Sequence, residues 1–281
     1  MALDELTPHA GNHSIQTLGF LVNWTEALTE RELRTIEGQR QALQSHFPQV
    51  LQTEMMQVQV DTLFNKSDRS KGKENVKRTK SLGGIQFVKP APAPRPGVPA
   101  VARSLNVSKE NLTLLIHDYQ DWAEAWAVAV DCLAVTLPHI VKGRPLTGCG
   151  LHYSDIFTWR ADPTTLEIDQ VFRRDGKLLP PSVFELRSLW HSHHGYLLDR
   201  PEPVAHQLIE NVNVNVVQTE PYRSINILTS HVAKFSTPGW QFEPAMNQIS
   251  TLLVDFHARN RELLIDLLTP SVCEKIGLRH S

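Results

Sequence analysis

The chain has 281 residues, 41% hydrophobic and 21% charged, ordinary globular proportions that allow one large core or two small ones. Its formal net charge of -2 excludes the global field of a nucleic-acid or membrane-surface binder. No apolar run approaches the ~20 residues of a membrane span, the acidic start lacks a basic region before an apolar stretch, and Cys132, Cys149 and Cys273 are too scattered for a disulfide framework or zinc knuckle, so a cytoplasmic chain with free buried thiols is expected.

Residues 1–14 read as a loose polar tail. Ile15–Trp24 is apolar and aromatic and predicts a buried strand. Thr29-Glu30-Arg31-Glu32 has the form of a capping box ahead of Leu33, Ile36, Leu43 and Phe47 at helical spacing, with Pro48 as the stop. Val50–Phe64 alternates apolar residues with glutamines, as a half-buried strand does.

Residues 65–81 carry seven Lys/Arg against two acids and too little apolar surface to order themselves. A short strand at Gly84–Lys89 precedes a proline-rich stretch, and residues 90–104 are a stiff connector. This suggests an N-terminal unit over 1–89 and a main unit over 105–281, or one continuous domain. Leu105–Tyr119 reads as a hairpin. Trp122, Ala125, Trp126, Ala129, Val130, Leu133 and Leu137 then give the clearest helix in the chain, ended by Pro138.

In the strand that follows, Leu151, Tyr153, Phe157 and Trp159 share one phase. Strand-helix-strand order thus occurs twice. Residues 160–182 read as loop, with three strands after them at 184–198, 208–218 and 224–235. A long apolar helix starts near Pro244, and Thr269-Pro270 begins a short one closed by Gly277. The fold class expected is α+β, an antiparallel sheet covered by helices.

Chemistry-bearing motifs are sparse. Trp190-His191-Ser192-His193-His194-Gly195 would place His191 and His193 on one side of a strand, a spacing that suits a divalent metal if His152, Asp155 or His231 supplied a third ligand. The plain alternative is a polar strand face. The basic segment, through Lys66, Arg69, Lys71, Lys73, Lys77, Arg78 and Lys80, could contact phosphate, although no aromatics are interleaved for base stacking; a solvated loop is the plain alternative there. The glycine-rich and nucleophile-elbow signatures are missing, and Gly148-Cys149-Gly150 reads as close packing or a bulge. No cofactor is implied.

Four segments carry a resemblance. They are His46-Phe47-Pro48; Leu112–Trp126, a strand followed by Tyr119, two residues and Trp122; Leu146–Phe157, with His152 at an expected arginine; and Leu253–Gly277, with its His257-x-x-Asn260 step. Together they resemble a sporadically distributed family of bacterial proteins of similar length with no settled biochemical function. Ile227–His231, where that family carries an acidic strand, and the basic and proline-rich insert depart from it. The resemblance implies a bacterial cytosolic α+β protein, an accessory of mobile or phage-defence gene clusters. The expected function is non-enzymatic binding or regulation, through a groove between sheet and helices or by holding a partner protein; nucleic-acid binding through residues 66–80 and a metal-dependent enzyme at His191/His193 are the alternatives. No membrane partner is expected, and oligomeric state is not fixed by the sequence.

Overall fold

A computed structural model of the chain describes residues 2–61, 75–92, 100–186, 188–236 and 242–278. The elements, in chain order, are β1 (Leu6–Pro8), β2 (Ile15–Trp24), α1 (Glu30–Glu37), β3 (Gln49–Asp61), β4 (Asn75–Pro90), β5 (Val101–Ser108), β6 (Asn111–Ile116), α2 (Trp122–Ile140), β7 (Leu146–Trp159), α3 (Ile168–Val171), β8 (Trp190–Arg200), β9 (His206–Thr219), β10 (Tyr222–Phe235), α4 (Phe242–Leu267) and α5 (Pro270–Lys275). The described strands form one sheet in the order β3-β4-β5-β6-β2-β7-β10-β9-β8, with β1 paired to β7. Their pairings are antiparallel throughout, as in the α+β expectation.

Period-two burial sets the faces. Leu18, Phe20, Val22 and Trp24 of β2 are buried, and so are Cys149, Leu151, Tyr153, Phe157 and Trp159 of β7. They join Ala125, Ala129, Leu133 and Leu137 of α2 and Leu252, Leu253, Phe256 and Leu264 of α4 in two apolar clusters. The helices therefore cover one sheet face. α2 is long and apolar enough to cross a membrane by length and composition, yet Ala125, Val128, Ala129, Cys132, Leu133, Leu137 and Ile140 are buried on its packed side.

Several boundaries differ from the sequence expectations. Residues 2–8 form a 3-10 turn and β1, held by Leu6, which is fully buried beside Phe157 and Trp159. Residues 75–81 join β4, because each pairs with β3 from Asp61 back to Met55; residues 62–74 lie outside the described ones. The connector does not separate sheets: β4 pairs with β5 from Gly84↔Ser108 to Pro90↔Val101, so strands on both sides of it share one ladder. Pro138 sits inside α2, which runs on to Ile140; one missing N–H in the last turn removes a single bond of the ladder. Within the expected 160–182 loop, α3 buries Ile168 and Val171.

Other local expectations match the structure. The Thr29 capping box forms, with Thr29 N donating to Glu32 Oε2 at 2.8 Å and Glu32 N to Thr29 Oγ1 at 3.3 Å. Gly148 is required by close packing: a Cβ there would lie 2.4 Å from the Ala233 carbonyl oxygen on β10.

Candidate functional site

The N-terminal segment builds one wall of a cleft. After β1 the chain reverses at Gly11, whose φ of 83° favours glycine, with Ala10 N donating to His13 O at 3.0 Å. It then returns along β7, where Ile156 N donates to Ser14 O at 2.8 Å. This brings Ser14 over Asp155 on the helix-covered face of β7, and Ser14 Oγ donates to Asp155 Oδ1 at 2.7 Å.

The cleft, about 340 Å³, lies between this segment, the start of α2, α4 and the end of α5. His13, Asp155, Tyr119, Trp122, His257, Asn260 and Arg261 are among the residues that line it. Two larger surface hollows, each about 470 Å³, lie beside Arg40 and Gln44 and beside Arg31 and His139. Neither includes a buried polar atom lacking a partner.

Asp155 is 1% exposed. Its Oδ2 has no hydrogen-bond partner among the described residues. Burial, only partly offset by the Ser14 bond, pushes its carboxyl up to about 6. His13 Nε2 lies 3.1 Å from the Tyr119 carbonyl oxygen. A carbonyl only accepts, so Nε2 carries the proton, and a neutral ring then leaves Nδ1 as a bare acceptor. Nδ1 is also buried without a hydrogen bond among the described residues; burial lowers the pKa of His13, against the Tyr119 and Ile15 backbone groups that raise it. Two buried acceptors without a partner among the described residues thus belong to residues that line the cleft.

On the other side His257 lies flat on Trp122, ring centroids 3.9 Å apart. Its Nδ1 is 2.8 Å from the Tyr153 hydroxyl. Burial first, and then the nearby Arg261 charge, lower His257 to about 4. Arg261 is half-buried and has no hydrogen bond or ion pair among the described residues. Burial, with Asp121 and Asp155 adding, pushes Tyr119 up to about 12.

Asn260 connects the cleft to a buried polar belt across the sheet. Its Oδ1 accepts from Thr229 Oγ1 at 2.5 Å and lies 3.3 Å from His231 Nε2. His231 Nδ1 is 2.9 Å from Glu210 Oε2, which also accepts from Arg259 Nε and Nη2 at 3.1 and 2.9 Å. Tyr196 Oη donates to Glu210 Oε1. Burial pushes the Glu210 carboxyl up, but the bonds from His231 and Tyr196, with Arg259, pull it down to about 2.

The residues singled out from sequence lie elsewhere. His191 and His193 are exposed on β8, on the sheet face away from the helices, opposite Asn215 and Asn213 of β9. Of the proposed third ligands, His152 is on that face but on β7, three strands away, roughly 14 Å at ordinary strand spacing. Asp155 and His231 are buried on the helix-covered face. Among the described residues no three His, Cys, Asp or Glu gather as a metal set. Lys66, Arg69, Lys71 and Lys73 lie outside the described residues. Lys77, Arg78 and Lys80 fall in β4, where Arg78 is exposed and Lys80 pairs with Glu54 at 2.8 Å. All three cysteines are buried and free, and burial raises Cys132 to about 12.

The outward face of β2, β7, β9 and β10 is almost free of charge. Thr17, Asn23, His152, Ser154, Asn211, Asn213, Asn215, Asn226 and Ser230 recur there, and Lys234 is the charged exception. No protein-family model matches the chain, and no curated protein matches it.

Proposed function

We propose that this protein is a non-enzymatic binding protein whose cleft between sheet and helices takes a small polar ligand that donates hydrogen bonds. The observation that carries this reading is the pair of unanswered acceptors, Asp155 Oδ2 and His13 Nδ1, buried in one cleft. A buried polar atom left unpaired costs about 1–3 kcal/mol, and such a cost persists where a ligand relieves it. Support for a protein partner as a second element comes from the outward sheet face, since depletion of charged side chains is the compositional mark of interface cores. The resemblance to a scattered bacterial family adds the proposal of a cytosolic accessory role in mobile or defence gene clusters.

The test is native mass spectrometry of the full chain purified from its own host. A small-molecule adduct on the wild type that disappears in Asp155→Asn is the expected result. Adduct-free protein whose thermal midpoint no polar metabolite moves would overturn the reading.

A further inference from the structure

Resting on that reading, the two sides of the cleft narrow the ligand's chemistry. One side carries the two buried acceptors without a partner among the described residues: Asp155 Oδ2, and His13 Nδ1 with its proton fixed on the opposite nitrogen by Tyr119. The group that satisfies several acceptors at once is one with several N–H donors, and a carboxylate among them favours a cation. The other side offers Arg261, a fork of donors with no ion-pair partner among the described residues. Arg261 stands near Tyr119, Tyr153 and His257, whose proton affinities it lowers. Arg261 and Asp155 form no ion pair with one another. Leu264 and Ile276 supply apolar wall.

We infer that the cleft binds a small zwitterion, a free α-amino acid or a close amino-carboxylate, with its ammonium on Asp155 and His13 and its carboxylate on Arg261. A space of about 340 Å³ is at the small end of ligand sites, which fits a molecule of this size. An ammonium needs the ionised carboxylate. Affinity should therefore be full well above pH 6 and fall through it as Asp155 takes up its proton.

The experiment is thermal-shift screening followed by calorimetry on the full chain. The probes are the free L-amino acids, their decarboxylated amines and their deaminated acids. Binding of one or more amino acids is expected, weakened about tenfold or more in each of Asp155→Asn and Arg261→Gln, the loss of one charge-assisted hydrogen bond. His191→Ala, on the opposite sheet face, should bind as the wild type does. Amines that bind as tightly as the amino acids, with Arg261→Gln neutral, would overturn the zwitterion while leaving a donor-binding cleft. No binding by any probe, together with adduct-free native protein, would overturn both. Should Asp155→Asn not fold, the wild-type pH profile decides, because affinity indifferent to pH between 5 and 8 sinks the assignment to Asp155.

Discussion

The two long helices sit on differently made parts of the same sheet face. α2 presents Ala125, Val128, Ala129, Cys132, Leu133 and Leu137 to a cluster that includes Leu18, Phe20, Leu112 and Leu114. α4 starts alike, with Ile249, Leu252, Leu253 and Phe256 in that cluster, and ends alike, with Leu263, Leu264 and Leu267 in the second. Between them it carries His257, Arg259, Asn260 and Arg261. The strands beneath repeat the break in step: Asp155 between Tyr153 and Phe157, Glu210 between Leu208 and Val212, Thr229 and His231 between Ile227 and Ala233. A polar belt therefore divides the core in two. Buried apolar shape seats the packed side of α2, whose directed bonds, Arg103 to Glu124 and His46 to Asp131, lie at its partly exposed edge, whereas buried directed bonds register α4.

The largest break in this contrast should come from Glu210→Ala. It leaves His231 and Arg259 without their shared acceptor, and removing one member of a buried charged network costs about 3–5 kcal/mol; urea unfolding reads the loss. The Glu210 carboxyl is held at about 2, against an ordinary 4.5. A depressed folded-state value stabilises above the unfolded one. The wild type should thus lose this contribution as pH falls from about 4.5 through 2, and Glu210→Ala should lack that limb of its acid-unfolding curve.

Under α2 the matching test is Leu133→Ala, at roughly 2–5 kcal/mol for a fully buried leucine. Its loss should be flat across acid pH because no titrating group is involved. A pH-dependent loss would show that the belt reaches α2 and would erase the distinction.

Asp155→Asn should act in the opposite direction. The folded carboxyl is raised from 3.8 to about 6, so folding penalises its ionised form. The penalty is absent below the unfolded value, grows as pH rises from about 3.8 to 6, and is complete above. At pH 8 the variant should gain up to about 3 kcal/mol by urea titration, a gain that fades below pH 4. Higher stability with lost binding is the trade expected of a site residue. The smallest effect belongs to Arg144→Lys. It removes the paired bonds of 2.8 and 2.7 Å from Arg144 to Glu32, worth about 1 kcal/mol for a partly exposed pair in which the fork geometry matters.

Strand phase and helix period were legible in the chain. Leu151, Tyr153, Phe157 and Trp159 share a face as their alternation indicates, and the 122–137 stripe faces the core. The cleft was not legible, although a signal for it existed. Asp155 occupies the same phase as Tyr153 and Phe157, Glu210 that of Leu208 and Val212, and His231 that of Ile227. A polar residue on the apolar beat of a strand marks burial with a partner, or with none. Clustering in sequence drew notice to His191 and His193 instead, which alternation puts on the outward face. Which of the in-phase polar residues meet depends on register between strands far apart in sequence. Likewise, His13 and Ser14 gain a role only because β1 anchors the tail through Leu6.

The position of β2 has a kinetic consequence. Its Leu18 pairs on one side with Ile116 and on the other with Tyr153, both roughly a hundred residues or more along the chain. By contrast β3-β4, β5-β6, β8-β9 and β9-β10 are near neighbours in sequence. Loop-closure entropy makes such distant pairings slow to form. The meanders on either side should therefore assemble first, with the β2–β7 seam joining them late. Asp155 lies on that seam, opposite Ile15, so the cleft should come into being only as the last step of folding, and a ligand held there would act on the rate of unfolding more than on the rate of folding.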